Sequence, residues 1–435
     1  MKLTIAGGHL IDASSGLDRV ADLHLADGRI LAVGDAPDGF HADRRIDASR
    51  QIVCPGLIDL SARLREPGFE YKATLESEMQ AALAGGVTGI VCPPDTDPVL
   101  DEPGLVEMLK HRAHSLDQAH LYPLGALTIG LKGEVLTEMA ELAEAGCVGF
   151  SQANEALIDT QVLSRAMQYA RSFGFTVWLQ PQDAYLARGG VAHSGPVSGR
   201  LGLSGVPVIA ETVALHTLFE LIRSNGCRVH LCRLSSAAGV ELVRAARREG
   251  LPVTADVAVH HLHLVDVDIG YFDSAYRVVP PFRTQRDREA LAAAVADGTI
   301  DAICSDHTPV DDDAKLLPFG EAEPGVTGLE LLLPLTLAWA QRAGVPLAQA
   351  LARLTREPAR IAGCEGGALA VGASADVCIF DPQAPWVVSP STLRSQGHHT
   401  PFAHREVLGR VSTTIVGGRV AMEINWGQTP IKGAS

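Results

Sequence analysis

The sequence predicts an α/β fold, a (β/α)₈ barrel of the TIM type with a small β-sandwich formed by both chain termini. The middle of the chain alternates short apolar runs with amphipathic segments, whereas residues 1–54 and 366–435 carry strand patterns. Alternating strands and helices imply parallel strands with right-handed crossovers, and eight such units close a barrel. We therefore assign residues 55–365 to the barrel and the two terminal regions to the sandwich.

Glycine-containing dipeptides mark the turns of the terminal regions. Asp27-Gly28 and Gly417-Gly418 each separate two apolar runs, and both dipeptides tolerate the positive φ angles of a tight hairpin. Gly7-Gly8 predicts a further turn near the start of the chain. Neither terminal region is long enough to bury a core alone, so we expect the two to share one.

The first barrel strand is predicted in the apolar stretch from Ile52 to Leu60, which turns polar at Ser61. Seven more strands are predicted at residues 89–92, 121–127, 147–150, 175–179, 228–231, 252–255 and 300–304. A helix is predicted at 74–83, ended by Gly85-Gly86, and an amphipathic segment at 136–145. In such a barrel, functional side chains follow the carboxyl ends of the strands.

Composition excludes several classes of protein. The chain has 435 residues and a net charge of −15 without a basic run, which disfavours binding to nucleic acid or to an anionic membrane. No apolar run reaches the roughly 20 residues of a membrane span, and the N-terminus lacks a signal-peptide pattern. The eight cysteines are scattered and never form CxxC. They indicate buried thiols in a reducing compartment, so we expect a cytoplasmic protein.

The predicted strand ends offer few groups for metal or nucleophilic catalysis. They carry Ser61, Arg63 and Arg65 after strand one, Gln180 after strand five, Arg233 after strand six and Asp306 after strand eight. Zinc that activates water needs several imidazole or carboxylate ligands. Arginine stays protonated and cannot ligate a cation, so Asp306 is the one good oxygen ligand or base among these residues. The sequence also lacks a GxSxG nucleophile motif and both common phosphate-binding loop motifs.

Several motifs along nearly the whole chain resemble those of dihydroorotases, which belong to the amidohydrolase superfamily. The motifs are Leu64-Arg65-Glu66-Pro67-Gly68, Gly85-Gly86-Val87-Thr88, His260-His261-Leu262, Val279-Pro280-Pro281-Phe282-Arg283, Ser305-Asp306-His307-Thr308-Pro309 and Thr400-Pro401-Phe402. Each motif alone is weak evidence, but together they are specific. The resemblance extends to the non-catalytic dihydroorotase-like subunits that some bacteria assemble with aspartate carbamoyltransferase.

The resemblance implies that the zinc ligands of active relatives are missing here. Their positions are occupied by Ser61, Arg63, Gln180 and Arg233, and the position of the bridging acid falls at Gln152 or Ala153. A substrate-binding asparagine of the family falls on Asp95. Arg65, which would hold the substrate carboxylate, and Asp306, the catalytic acid or base, remain as vestigial residues. We therefore expect no zinc cofactor, and we expect an arginine to pair with Asp306 in place of the metal.

Other candidate groups receive a structural interpretation. His230 lies within a strand and is predicted to be a satisfied core residue. His260, His261 and His263 are predicted to be structural, because the resemblance places paired histidines in active relatives as well. The run Asp311-Asp312-Asp313 is predicted to open a solvated loop rather than to bind a cation.

Three functional hypotheses remain. The first is a catalytically inactive protein of pyrimidine biosynthesis that acts as a structural subunit for the catalytic subunit of aspartate carbamoyltransferase. The second is an active dihydroorotase with a reduced or displaced metal site. The third is a hydantoinase- or allantoinase-like hydrolase, which also depends on the missing ligands. We expect a homo-oligomer and no nucleic acid or membrane partner.

Overall fold

The computed structural model describes residues 1–424, so residues 425–435 of the predicted C-terminal part lie outside the described residues. Five strands precede the barrel: β1 (Leu3–Asp12), β2 (Leu17–Ala26), β3 (Arg29–Val33), β4 (Arg44–Asp47) and β5 (Ile52–Pro55).

The barrel region alternates strands and helices. In chain order they are β6 (Leu57–Asp59), α1 (Leu75–Ala84), β7 (Val87–Cys92), α2 (Pro103–Leu116), β8 (His120–Ala126), α3 (Met139–Ala145), β9 (Gly149–Ser151), α4 (Thr160–Phe173), β10 (Thr176–Leu179), β11 (Ala192–His193), α5 (Pro196–Leu201), β12 (Gly205–Val206), α6 (Ile209–Asn225), β13 (Arg228–Leu231), α7 (Ala237–Glu249), β14 (Val253–Ala258), α8 (Gln285–Asp297), β15 (Ala302–Cys304), α9 (Asp312–Leu316), α10 (Leu332–Ala343), α11 (Leu347–Ala352) and α12 (Arg356–Ala362). Three strands follow: β16 (Val377–Val387), β17 (Glu406–Val416) and β18 (Arg419–Glu423). None of the helices within residues 1–424 is long and apolar enough to cross a membrane.

Eight parallel strands form the barrel, in the order β6-β7-β8-β9-β10-β13-β14-β15. Each of the eight predicted barrel strands overlaps one of them, so the predicted barrel is confirmed. β7 is buried at all six positions, as expected for a strand covered on both faces. Strands β11 and β12 form a separate two-stranded sheet in the long connection before α6.

The terminal strands form a separate eight-stranded sheet in the order β18-β17-β16-β5-β1-β2-β3, and β4 also pairs with β1. The predicted hairpins are present: β2 pairs antiparallel with β3 and β17 with β18. Apolar side chains from both ends of the chain share one core, among them Leu3, Leu23, Val53, Val377 and Ile415. The termini therefore bury together the surface that neither could bury alone.

The predicted turn at Gly7-Gly8 is wrong. Strand β1 continues through both glycines, and its pairing with β2 shifts register between Ile5 and Gly8. Gly7 has φ +66°, a conformation that glycine adopts without the penalty of a side chain. The glycines thus form a bulge inside one strand rather than a turn between two.

The apolar stretch from Ile52 to Leu60 serves both sheets. β5 belongs to the terminal sheet, where it pairs with β1 and β16, and β6 begins the barrel two residues later. Gly56 separates the two strands, and a Cβ atom there would lie 2.1 Å from Thr88 Oγ1. This close approach explains why the chain changes sheet at a glycine.

Candidate functional site

The last barrel strand returns to the first and brings the two richest predicted strand ends together. Ala62 and His307 form a parallel bridge. The His307 amide donates to the Ser61 carbonyl at 3.2 Å, and the Arg63 amide donates to the His307 carbonyl at 2.8 Å. Arg63 and Asp306 thereby face the same end of the barrel.

Asp306 is engaged by two buried arginines. Nη1 of Arg233 donates to Asp306 Oδ1 at 2.8 Å, and Nη1 of Arg63 lies 3.7 Å from the same oxygen. All three side chains are about nineteen-twentieths buried, with 5–6% of each exposed. The predicted pairing of Asp306 with an arginine is therefore confirmed.

Arg63 also binds the carboxylate that follows the second barrel strand. Its Nε donates to Asp95 Oδ2 at 2.7 Å, and its Nη1 donates to Thr308 Oγ1 at 3.2 Å. Burial opposes ionisation of Asp95, but the charge and hydrogen bond of Arg63 hold the pKa of Asp95 below its usual value. Asp95 and Asp306 each have an arginine as counter-ion, so the site contains its own positive charge.

Gln180 and Asn154 orient the other guanidinium. Nη2 of Arg233 donates to Asn154 Oδ1 at 2.6 Å and to Gln180 Oε1 at 3.1 Å. Burial alone would lower the pKa of Arg233, but Asp306 raises it above its ordinary value. Gln180, which the resemblance places at a ligand position of active relatives, thus contacts an arginine here.

The predicted position of the bridging acid supplies no carboxylate. Gln152 is buried, and its amide nitrogen donates to Thr128 Oγ1 at 2.9 Å and to the Leu131 carbonyl at 2.8 Å. The next residue, Ala153, has only a methyl side chain. These contacts hold the loop after β9 in place and leave nothing there to bridge two cations.

Arg65 is tied to the loop that follows the last barrel strand. Its Nε donates to the Pro309 carbonyl at 2.8 Å, and its Nη2 lies 3.6 Å from Glu323 Oε1. Lys72 Nζ lies 2.6 Å from the same Glu323 oxygen. Burial and then the neighbouring Arg63 lower the pKa of Arg65. Arg65 therefore has an internal carboxylate partner.

Four strand-end residues share a left-handed backbone. Arg65, Ala153, Arg233 and Asp306 have φ angles of 62°, 51°, 56° and 49°. Such angles are unfavourable for residues with a Cβ atom and persist when the surrounding structure fixes them. Contacts of the side chains help to fix this conformation. Arg233 and Asp306 bind each other, and Arg65 binds the loop after the last barrel strand.

A second polar group, with two buried residues and one partly buried cysteine, lies next to Arg233. His230, Cys232 and Asp256 each place one potential ligand atom within 4.8 Å of the others, and no other such group of three occurs within residues 1–424. Asp256 Oδ2 lies 2.9 Å from His230 Nε2, and Asp256 Oδ1 accepts from the Arg233 amide at 2.6 Å. The nitrogen, sulfur and oxygen atoms of this group are of the types that bind zinc. In this structure His230 and Asp256 instead form hydrogen bonds with each other and with their neighbours.

His230 is fully buried and has partners on both ring nitrogens. Its Nδ1 lies 2.8 Å from Thr254 Oγ1, in addition to the contact between Nε2 and Asp256. The prediction of a satisfied core histidine is confirmed. Asp256 completes this network. The sequence predicts Asp256 directly after the seventh barrel strand, but β14 continues to Ala258, so Asp256 lies inside the strand.

The histidines after β14 are buried against an aromatic ring. The rings of His260 and His261 lie 4.8 Å apart, and both pack on Phe282. Burial and then Arg233 lower the pKa of His260 to about 3. These contacts agree with a structural role, and a neutral imidazole is expected there at pH 7.

Two features near the last barrel strand differ from the expectation or were not predicted from the sequence. The run Asp311-Asp312-Asp313 begins helix α9 rather than a loop, and Asp311 caps it by accepting from the Asp313 amide. An aspartate at the N-cap with acidic residues in the first turn is a helix-start signal. Glu78, in the first turn of α1, is buried and lies 2.7 Å from His307 Nε2. Nothing in the local sequence indicates this contact across the barrel.

The fold is that of known amidohydrolases. An L-hydantoinase (dihydropyrimidinase) from Arthrobacter aurescens superposes with a TM-score of 0.86 at 24% identity, covering 97% of this chain and 96% of the other. A family model described as "Dihydro-orotase-like" matches residues 50–238, and one described as "Amidohydrolase family" matches residues 205–422.

Two relatives match over almost their full length. A "Dihydroorotase-like protein" of Pseudomonas aeruginosa is 45% identical, over 97% of this chain and 100% of the relative. A "Dihydroorotase" of Anaeromyxobacter dehalogenans is 38% identical, over 97% of this chain and 98% of the relative. The chain belongs to the dihydroorotase-like family of amidohydrolases.

Proposed function

We propose that this protein is a dihydroorotase-like protein without hydrolase activity, and that it serves as a structural subunit of an aspartate carbamoyltransferase assembly in pyrimidine biosynthesis. The observation that carries the proposal is the buried pair of Arg233 and Asp306, whose Nη1 and Oδ1 atoms are 2.8 Å apart. It places an arginine against the one carboxylate that the family resemblance would make the catalytic acid or base.

Two features of the site support inactivity, namely the engaged Asp306 carboxylate and the lack of zinc ligands. The Asp306 oxygen that would accept a proton from substrate or water is engaged by Arg233, with Arg63 at 3.7 Å. Hydrolysis in this family also needs activated water, and a bound metal lowers the pKa of water to about 7. Ser61, Arg63, Gln180 and Arg233 fit no zinc ion, because only imidazole, thiolate and carboxylate groups are its usual ligands.

The preserved scaffold supports a role based on the protein surface. The barrel, the terminal sheet and the strained strand ends at Arg65 and Asp306 are intact around the altered site. An assembly role accounts for retention of the architecture after the metal ligands are replaced. The identity of the partner rests on the family resemblance, because some bacterial members bind aspartate carbamoyltransferase without being catalytic.

The test is to co-express the full chain with the carbamoyltransferase catalytic subunit of the same organism and to analyse the mixture by size-exclusion chromatography. We expect one co-eluting species and carbamoyltransferase activity that depends on this chain. A stable obligate contact buries about 2,000 Å² or more, and it makes the stability of each subunit depend on the concentration of the other.

The matched variant is Arg233→Met with Asp306→Leu, which removes the buried pair without leaving an unpaired charge and leaves the outer surface unchanged. It should co-elute as the natural chain does, because the proposed role does not use the barrel chemistry. Two separate peaks for the natural chain, with carbamoyltransferase activity indifferent to its presence, would refute the assembly role.

A second candidate is an active hydrolase with a displaced metal, and the group of His230, Cys232 and Asp256 is the observation that favours it. Its test is zinc analysis of the full chain after dialysis. Stoichiometric zinc that is lost in Cys232→Ser and kept in Cys227→Ser would support this candidate. Burial raises the pKa of the Cys232 thiol well above its usual value, which opposes the thiolate that zinc requires.

A further inference from the structure

Two cysteines face each other across the terminal sheet. Cys54 of β5 and Cys378 of β16 are direct partners in an antiparallel ladder, between the pairs Pro55–Val377 and Val53–Ile379. Directly opposed residues project to the same face, and their Cα atoms are about 4.5–5.5 Å apart. This spacing falls within the range of roughly 4.4–6.8 Å that a disulfide spans.

The surroundings bring the two thiols into contact. Both cysteines are fully buried. Burial and then the hydrogen bond between the two thiols raise the pKa of Cys54 well above its ordinary value. Gly86 leaves room for the Cys378 sulfur, because a Cβ atom at Gly86 would lie 2.4 Å from Sγ. Within residues 1–424 no other two cysteines are partners in a strand ladder.

We propose that Cys54 and Cys378 form a redox modification site, at which a low-molecular-weight disulfide such as oxidised glutathione converts the two thiols into a cross-strand disulfide. One protein thiolate attacks a sulfur of the small disulfide, forms a mixed disulfide and releases one small thiolate. The second protein thiolate then attacks the protein sulfur of that mixed disulfide and releases the other. The protein loses two electrons and two protons, and the small disulfide gains both to become two thiols.

Burial controls the rate of this reaction. The thiols lie between the terminal sheet and the barrel, so an oxidant reaches them only when β5 or β16 opens locally. Oxidation is therefore slow in the closed protein and faster in urea concentrations below the unfolding transition. The reverse reaction with dithiothreitol requires the same opening.

The cross-link would join the two ends of the barrel region. Cys54 lies just before the first barrel strand and Cys378 follows α12, so the bond closes a loop that contains the whole barrel. A cross-link that closes a long loop restricts the unfolded chain strongly. The oxidised protein should therefore unfold at a higher temperature than the dithiol form.

The experiment treats the full chain with oxidised glutathione in urea below the unfolding transition, then blocks free thiols and maps peptides by mass spectrometry without reduction. We expect a Cys54–Cys378 peptide pair, a protein mass lower by two hydrogens, and a rise in unfolding temperature that dithiothreitol reverses. Cys227→Ser, which removes another buried thiol, should behave as the natural chain does, and Cys54→Ser should show neither change.

The natural chain decides the outcome even if Cys54→Ser does not fold. Free Cys54 and Cys378 would overturn the proposal if hydrogen exchange shows that the amides of β5 and β16 open under the same conditions. Glutathione found only on the more exposed Cys232 and Cys364, or cross-links of Cys54 to several other cysteines, would overturn it equally.

Discussion

Arg233 and Asp306 form a buried ion pair at the carboxyl end of the barrel, with 2.8 Å between Nη1 and Oδ1. Arg233 follows the end of β13 and Asp306 follows the end of β15. Both residues have a left-handed backbone conformation. Arginine and carboxylate thus neutralise each other at a position where the family resemblance expects a zinc ligand and a catalytic acid.

Replacement of Arg233 by alanine should destabilise the fold by about 3 kcal/mol, because it leaves Asp306 as a buried charge without its nearest partner. The measurement is urea unfolding of the full chain at pH 7.5. The double variant Arg233→Met with Asp306→Leu should recover much of the loss, since no uncompensated charge then remains.

The control for that prediction is Arg248→Ala, at an exposed arginine near the end of α7. It should change the unfolding free energy by no more than about 0.5 kcal/mol. An Arg233→Ala effect as small as the control would mean that the pair is not a desolvated, interdependent unit.

The double variant Ser61→His with Arg63→His should not acquire stoichiometric zinc. It adds two imidazoles, but Arg233 still directs positive charge at Asp306, and Gln180 remains a poor ligand. Zinc content after exhaustive dialysis measures the result. Adding Gln180→His and Arg233→His to the same chain should produce zinc binding, and failure of the four-histidine variant would show that the barrel end no longer holds metal geometry.

His260 should contribute to loss of stability in acid. Its pKa is lowered to about 3 in the folded protein, against an ordinary value of 6.5, because burial and Arg233 disfavour the charged imidazole. Above pH 6.5 His260 is neutral in both the folded and the unfolded chain, and the free energy of unfolding is at its full value. As the pH falls from 6.5 toward 3, only the unfolded chain binds a proton at His260, so the free energy of unfolding decreases. Between pH 7.5 and 5.5 the loss is about 1 kcal/mol for this group.

His260→Leu should remove that part of the pH dependence, measured by urea unfolding at both pH values. His111→Leu, at an exposed position of α2, serves as the control and should leave the slope unchanged. Equal slopes in all three proteins would show that His260 can be protonated in the folded state.

Gly56→Ala should destabilise the junction between the terminal sheet and the barrel. A Cβ atom there would lie 2.1 Å from Thr88 Oγ1 and 2.4 Å from Thr88 Cγ2, and overpacking of this kind costs roughly 1–3 kcal/mol. Thr88→Ala removes both atoms, so the double variant should regain part of the loss. Additive effects in thermal unfolding would mean that the two residues do not contact each other as described.

Much of the fold can be predicted because its signals are local. Asp27-Gly28 and Gly417-Gly418 mark hairpins by the backbone they permit, and alternating strands and helices predict parallel pairing. The Gly7-Gly8 turn was wrong because a bulge and a turn use the same glycine conformation. Only the pairing of β1 with β2 along its length distinguishes the two.

The candidate site could be predicted only in part. Strand ends identified Arg63, Arg233 and Asp306, and the cost of an unpaired buried carboxylate predicted that an arginine would pair with Asp306. The contact of Arg65 with Glu323, and that of Glu78 with His307, join residues more than 200 positions apart. No local pattern encodes such pairs, since they depend on how the barrel closes.

We propose that this barrel does not hydrolyse dihydroorotate, and the test is dihydroorotate turnover by the purified full chain, assayed with added zinc and compared with Asp306→Ala. We predict no turnover above the uncatalysed rate for either protein, at any zinc concentration that leaves the chain folded. Turnover that scales with the natural chain and disappears in Asp306→Ala would contradict the claim and establish Asp306 as a working catalytic residue.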